Sequence, residues 1–238
     1  MTRRLLLLSS ARDGKGVFLL NSSTAIRSLL GESIRRVLLI PYAGVTITPV
    51  QYAERAAVPF AKLGYELHSI TDATDPVRAV NDAAAIVVGG GNTFQLLKTL
   101  YERELIDAIR DRVGAGVPYI GWSAGAVVTA PTMGTTNDMP IVEPPSLRAL
   151  NLIPFQINAH YTDFHQPGHQ GETRAERLEE YIAANRTVRV LGLREGSSLR
   201  ITDDEIALNG LGTAPVFFYG AARTEYSSGD DISFLLKS

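Results

Sequence analysis

Gly121-Trp122-Ser123-Ala124-Gly125 is the stretch of this chain best suited to covalent chemistry. It follows the apolar run Val117-Pro118-Tyr119-Ile120 and leads into Ala126, Val127 and Val128, so it reads as buried strand, abrupt turn, then helix. A serine at such a turn projects its Oγ above the sheet edge, while the helix aims its first N–H groups at the same point. About 0.1 such pentapeptides would arise by chance in a chain of this length and composition. The strand-turn-helix context is therefore what makes Ser123 the candidate nucleophile.

A serine hydroxyl attacks poorly until a base takes its proton, and the base is usually oriented by a carboxylate. His68 sits at the end of an early candidate strand and reads as a structural or surface residue. His160, His165 and His169 cluster after the serine. His160 ends the candidate strand 156–160, and strand carboxyl ends border the ligand crevice of an open α/β sheet. It is the expected general base, meeting Ser123 at one sheet edge. A three-histidine metal site is the rival, but the spacing fits no zinc pattern. No metal and no cofactor are expected.

Two acids compete to orient the base. Asp138 lies in Thr135-Thr136-Asn137-Asp138-Met139-Pro140, and Glu195 follows the apolar run 188–193. Strand-end placement favours Glu195, while Asp138 could instead hold its loop or bind a substrate amine. For the oxyanion, one donor is the Ala124 N–H. A second is offered by Gly90 or Gly91 in Gly89-Gly90-Gly91-Asn92, whose backbone can approach a reacting atom closely. Asn92 is a candidate substrate contact. This loop lacks the Lys-Ser/Thr of a P-loop and the spacing of a dinucleotide fingerprint, which weighs against nucleotide binding. Arg174 opens a helical stretch, where a cation opposes the macrodipole. A guanidinium there makes a strong carboxylate site.

The elements that must position these groups alternate. Short apolar runs at 5–8, 37–40, 65–70, 85–88 and 119–122 read as strands. Helical patterns fall at 18–30, 49–63, 76–81, 93–97 and 102–113. That alternation implies an α/β three-layer sandwich: a mostly parallel central sheet with helices on both faces. Residues 131–154 are rich in Pro, Thr and Asn and read as an irregular excursion. A strand at 156–160 follows, then a helix at 173–184 with Thr173 and Glu176 as a capping box. Runs at 188–193, 199–202, 205–208 and 216–219 read as strands, expected as antiparallel additions to the sheet edge. No linker or repeat interrupts the 238 residues, so one domain spanning 1–238 is expected.

Composition narrows the function. The net charge is −2 with no basic block, which leaves nucleic acid without an electrostatic footprint. There is no cysteine, hence no thiol nucleophile and no disulfide. The four leucines after Arg4 fall short of the roughly 7–15 apolar residues of a secretory signal. No apolar stretch approaches the roughly 20 residues that cross a bilayer. A soluble, cytoplasmic protein is expected, with room for a homodimer.

Four motifs in order, Val88-Gly89-Gly90-Gly91-Asn92-Thr93-Phe94-Gln95-Leu96-Leu97, Tyr119 to Ala126, Thr135 to Val142, and Gly168-His169-Gln170-Gly171-Glu172-Thr173-Arg174, closely resemble peptidase E, the aspartyl dipeptidase family of serine peptidases. The resemblance covers about 5–217. It implies a fold similar to class I glutamine amidotransferases, a catalytic serine at an elbow, and hydrolysis of dipeptides with an N-terminal aspartate. By motif, Ser123 matches the nucleophile, His160 the base and Arg174 the residue proposed to recognise the aspartate side chain. The positions of Asp138 and Glu195 have both been assigned as the acid. Ala159 stands where the family often has proline, and the chain diverges beyond Val216. The alternatives are a cyanophycinase-like peptidase acting on β-aspartyl peptides, and a non-catalytic amidotransferase-like module that binds a small molecule.

Overall fold

Four consecutive leucines cannot all face one side of a strand. In the computed structural model, Leu5 and Leu7 enter one hydrophobic cluster while Leu6 and Leu8 enter another. The strand β1 (Arg4–Leu8) is thus apolar on both faces and is covered on both. The structure describes residues 2–12, 18–168, 170–210 and 212–237. His169 lies outside them.

The first half of the chain alternates as expected. After β1 come α1 (Ser23–Leu30), β2 (Arg36–Ile40), α2 (Pro49–Lys62), β3 (Glu66–Ser69), α3 (Pro76–Asp82) and β4 (Ile86–Val88). Then follow α4 (Thr93–Glu102), α5 (Leu105–Gly114), β5 (Tyr119–Trp122) and the single turn α6 (Ala124–Val127). The helical pattern expected over 102–113 begins instead at Leu105, because Glu104 adopts a left-handed φ of 57° that separates α4 from α5.

The second half is β6 (Gln156–Tyr161), α7 (Arg174–Ala184), β7 (Val190–Arg194), β8 (Ser198–Thr202), β9 (Glu205–Asn209), β10 (Thr213–Phe217) and β11 (Thr224–Ser227). Helix α7 is capped as its sequence foretold. Thr173 Oγ1 accepts the Glu176 N–H at 3.2 Å, and Glu176 Oε2 accepts the Thr173 N–H at 2.6 Å. Such a cap contributes about 1 kcal/mol.

Seven strands form the main sheet in the order β3-β2-β4-β5-β1-β8-β9. The first five are mutually parallel, and β8 and β9 add antiparallel on the β1 edge. One face packs against Ile26, Leu29 and Leu30 of α1 and Ala56 and Phe60 of α2. The other packs against α3, α4 and α5 through Val80, Leu96, Leu97, Leu100, Leu105 and Ile109. This is the three-layer α/β sandwich.

Contrary to the expectation from sequence, the apolar runs after residue 188 do not all extend that sheet. Strands β6, β7, β10 and β11 form a separate four-stranded sheet in the order β11-β10-β7-β6. Its β6 and β7 are parallel, while β10 and β11 are antiparallel additions. The chain crosses between sheets at 195–197, where the Ser197 N–H closes a turn on the Arg194 carbonyl at 3.0 Å. Leu191, Leu193, Ala214 and Val216 share the cluster that covers the main sheet, so the same packing supports both sheets. Strand β11 gave no apolar signal because it is largely exposed and polar. The strand expected at 216–219 sits earlier, since Phe218 and Tyr219 turn away beneath Arg189 and Arg186 at 4.8 and 4.5 Å.

Candidate active site

The nucleophile turn is built by close packing. Ser123 has φ 53° and ψ −117°, a conformation that costs a non-glycine residue about 1–3 kcal/mol. It persists because its surroundings leave no alternative. A side chain on Gly125 would meet the Val88 carbonyl oxygen at 2.2 Å, so α6 can lie against β4 only with glycine there. The Ser123 N–H is tied to the Leu8 carbonyl at 3.0 Å.

His160 is not the last residue of its strand. It is the extra residue of a β-bulge, where β6 shifts register on β7 between Ala159–Leu193 and Tyr161–Arg194. Its φ is 54°. The bulge re-aims the ring out of the second sheet, and His160 Nε2 lies 2.9 Å from Ser123 Oγ. Nδ1 lies 2.8 Å from Glu195 Oε1. The side chains of His160 and Glu195 are 39% and 69% exposed, so solvent screens the charge interaction and its main effect is to orient the ring.

Asp138 faces elsewhere. Its Oδ2 accepts hydrogen bonds from Thr93 N (2.7 Å), Thr93 Oγ1 (2.6 Å) and Thr136 Oγ1 (3.1 Å), at the start of α4. The loop around it is sewn to β6. Thr135 Oγ1 donates to the Ile157 carbonyl at 2.9 Å, and Asn137 Nδ2 donates to the Ala159 carbonyl at 2.7 Å. The excursion thus clasps the strand of His160 to the helix that follows the glycine loop.

That loop lies against the nucleophile, since a side chain on Gly90 would meet Ser123 Cβ at 2.8 Å. Among the described residues, the Gly90 and Gly91 N–H groups have no acceptor. Ala124 opens α6, where no intrahelical acceptor exists for its N–H. Asn92 is occupied by the fold. Its side chain caps α4 by accepting the Gln95 N–H at 3.0 Å and donates to the Met139 carbonyl at 2.9 Å.

Tyr52 carried no signal in the sequence beyond an amphipathic helix. Its hydroxyl donates to the Gly90 carbonyl at 2.9 Å and accepts from Trp122 Nε1 at 2.9 Å. Burial pushes this phenol up to about 12, so it stays a donor. A trans peptide turns its N–H opposite its C=O, so the Gly91 N–H points away from Tyr52. Arg12 and Arg55 were also missed; with Phe18, Tyr52 and Trp122 they line a cavity of about 520 Å3 beside Ser123 and His160.

Arg174 stands at the start of α7, near Tyr161. Half-burial, and then the neighbouring Arg177, pull its guanidinium below the ordinary arginine range. It forms no ion pair among the described residues, whereas Arg177 pairs with Glu172 at 3.6 Å. His165 Nε2 meets the Gly171 carbonyl at 2.9 Å. Among the described residues, no three His, Asp or Glu side chains gather as metal ligands, and no helix is long and apolar enough to cross a membrane.

A strained serine between strand and helix on an α/β sandwich, faced by an imidazole, is the framework of a hydrolase. Comparison with known proteins gives the class its family. The chain matches Peptidase family S51 over residues 5–209, and it belongs to that family of peptidases. A Peptidase E of Nostoc sp. is 44% identical over 100% of this chain and 98% of its own length. A Peptidase E of Shewanella denitrificans is 42% identical over 99% and 100%. The fold is shared with a putative peptidase E protein from Listeria monocytogenes (TM-score 0.68, 23% identity, 89% of this chain and 100% of that one). A peptidase from an acI-B1 Actinobacterium also shares it (TM-score 0.73, 21% identity, 98% of each).

Proposed function

We propose that the chain is a serine-type dipeptidase that cleaves Asp-X dipeptides through an acyl-enzyme. One observation carries the reading: Ser123 Oγ, the two ring nitrogens of His160 and Glu195 Oε1 follow one another at 2.9 and 2.8 Å. Ser123 Oγ attacks the aspartyl carbonyl carbon as His160 Nε2 takes its proton. Glu195 holds the ring and stabilises the imidazolium. The free N–H groups of Ala124 and of Gly91 or Gly90 receive the oxyanion. As the C–N bond breaks, His160 returns the proton to the leaving amine. Water, with His160 again as base, then releases aspartate.

The preference for aspartate rests on Arg174, a half-buried cation that lacks a carboxylate partner among the described residues. In this reading it grips the substrate's β-carboxylate. The test uses Asp-Leu and β-Asp-Arg with EDTA present, for the native protein and Arg174→Ala. Asp-Leu should be the better substrate. Arg174→Ala should lower its kcat/KM roughly 10- to 150-fold, the effect of losing a charged hydrogen bond of about 1.5–3 kcal/mol. An unchanged rate would remove Arg174 from recognition, and preferred cleavage of β-Asp-Arg would replace the substrate class.

A further inference from the structure

We propose that Ser9 is a positioning residue that sets His160, and the turn of Glu195, against Ser123. The inference rests on the reading that those three side chains act together. Ser9 follows β1 directly, is fully buried, and makes both of its side-chain contacts to parts of the chain more than 150 residues away. Its Oγ accepts the His160 N–H at 2.9 Å and donates to the Leu193 carbonyl at 2.7 Å.

The bulge explains why the first contact matters. Insertion of His160 between the pairs Ala159–Leu193 and Tyr161–Arg194 leaves it without a register partner on β7. A buried N–H with no acceptor would favour a different backbone path. Ser9 supplies that acceptor, and so holds the residue at the positive φ that sends its ring toward Ser123.

The second contact reaches the acid. Leu193 lies two residues before Glu195, and the Ser9 N–H donates to the carbonyl of Ser197, two residues after it, at 3.1 Å. The turn that carries Glu195 is therefore held on both sides by one residue of β1's end. The preceding residue, Leu8, accepts the Ser123 N–H. Two consecutive residues at the junction of the sheets thus fix the nucleophile, the base and the acid's turn relative to one another. Ser9 touches no reacting atom in this scheme and acts through His160 and Glu195.

The experiment compares the native protein with Ser9→Ala and Ser9→Cys. It measures kcat and KM on Asp-Leu, the low-field proton resonance of His160 Nδ1–H against Glu195, and exchange of the His160 amide. In the native protein the amide should be protected. Ser9→Ala should lower kcat roughly 10- to 100-fold, as a small misplacement of reacting groups does, with KM within about twofold. Its low-field resonance should weaken or vanish. Cysteine fills the same space but bonds weakly, so Ser9→Cys should recover only part of kcat.

Native kcat in Ser9→Ala, full recovery in Ser9→Cys, or loss of kcat with an unchanged resonance would each overturn the proposal. So would fast exchange of the His160 amide in the native protein, a measurement that stands even if Ser9→Ala does not fold. If the native protein cleaves no aspartyl dipeptide, the proposed function fails, while the resonance and exchange data still decide the role of Ser9.

Discussion

Ser123 and His160 meet at 2.9 Å, yet the two regions that present them are held by different forces. The elbow of Ser123 is fixed by packing: β5 is buried throughout, and α6 sits where only glycine fits against Val88. The bulge of His160 is fixed by its own N–H bond to Ser9 Oγ and by hydrogen bonds from the 135–138 loop to the neighbouring carbonyls. Its acid stands largely in solvent. Packing of this kind repels change at every neighbouring atom, because overfilled cores strain backbone and side chains together. Hydrogen bonds constrain only the groups that make them. The nucleophile's half should therefore be rigid, and the half carrying the base should be adjustable through a few polar contacts.

The largest expected effect tests the rigid half. Ser123→Ala should lower Asp-Leu hydrolysis by about 10^4- to 10^6-fold. Its thermal unfolding should shift by the equivalent of less than about 1 kcal/mol, since the elbow is held by its neighbours rather than by the hydroxyl. A large loss of stability would show that the hydroxyl helps to hold the turn, and would break the contrast.

Next comes the clasp between the halves. Asp138→Ala removes the acceptor of three hydrogen bonds from Thr93 and Thr136. Bonds to a charged group contribute about 1.5–3 kcal/mol, and each kcal/mol lost should lower Tm by about 2–4 °C in a chain of this size. Calorimetry that finds native stability would remove Asp138 from the clasp.

The smallest effect is expected in acid, and only in the second sheet. Arg194 binds both Asp163 and Glu225 at the C-terminal end of β7. Its hydrogen bond holds the Asp163 carboxyl below the ordinary 3.8. For Glu225, burial opposes ionisation, but hydrogen bonds from Arg194 and Thr213 outweigh it and hold the carboxyl below 4.5. Both groups are depressed in the folded state. Their stabilisation is thus complete above about pH 4.5 and is lost as the pH falls below 3.8 through the folded values. Solvent exposure of Asp163 keeps the contribution modest. Amide protection factors in β7 and β11 should fall before those in β4 and β5 as the protein is acidified; simultaneous loss would contradict the division.

The same contrast explains what the sequence revealed. The elbow was legible because packing leaves local marks: an apolar run, flanking glycines and small residues after the serine. The capping box of α7 was legible because both partners lie three residues apart. His160 was found through its strand, but the second sheet that carries it was not. Both sheets use the same short apolar runs, and only pairing across distant segments tells them apart. The choice between Asp138 and Glu195 stayed open because neither carboxylate is a local neighbour of His160, and the one that meets its ring lies 35 residues away. Ser9 and Tyr52 gave no signal, since their contacts lie 151 and 38 residues away, at His160 and Gly90.

The relay depends on which acid serves His160. The most direct measurement is kcat on Asp-Leu for Glu195→Gln beside Asp138→Asn, under identical conditions. Orienting and stabilising a general base contributes about 10^2- to 10^4-fold, so Glu195→Gln should lose that much, while Asp138→Asn should lose less than about tenfold. If Asp138→Asn is the more damaged variant, the relay of Ser123, His160 and Glu195 is wrong.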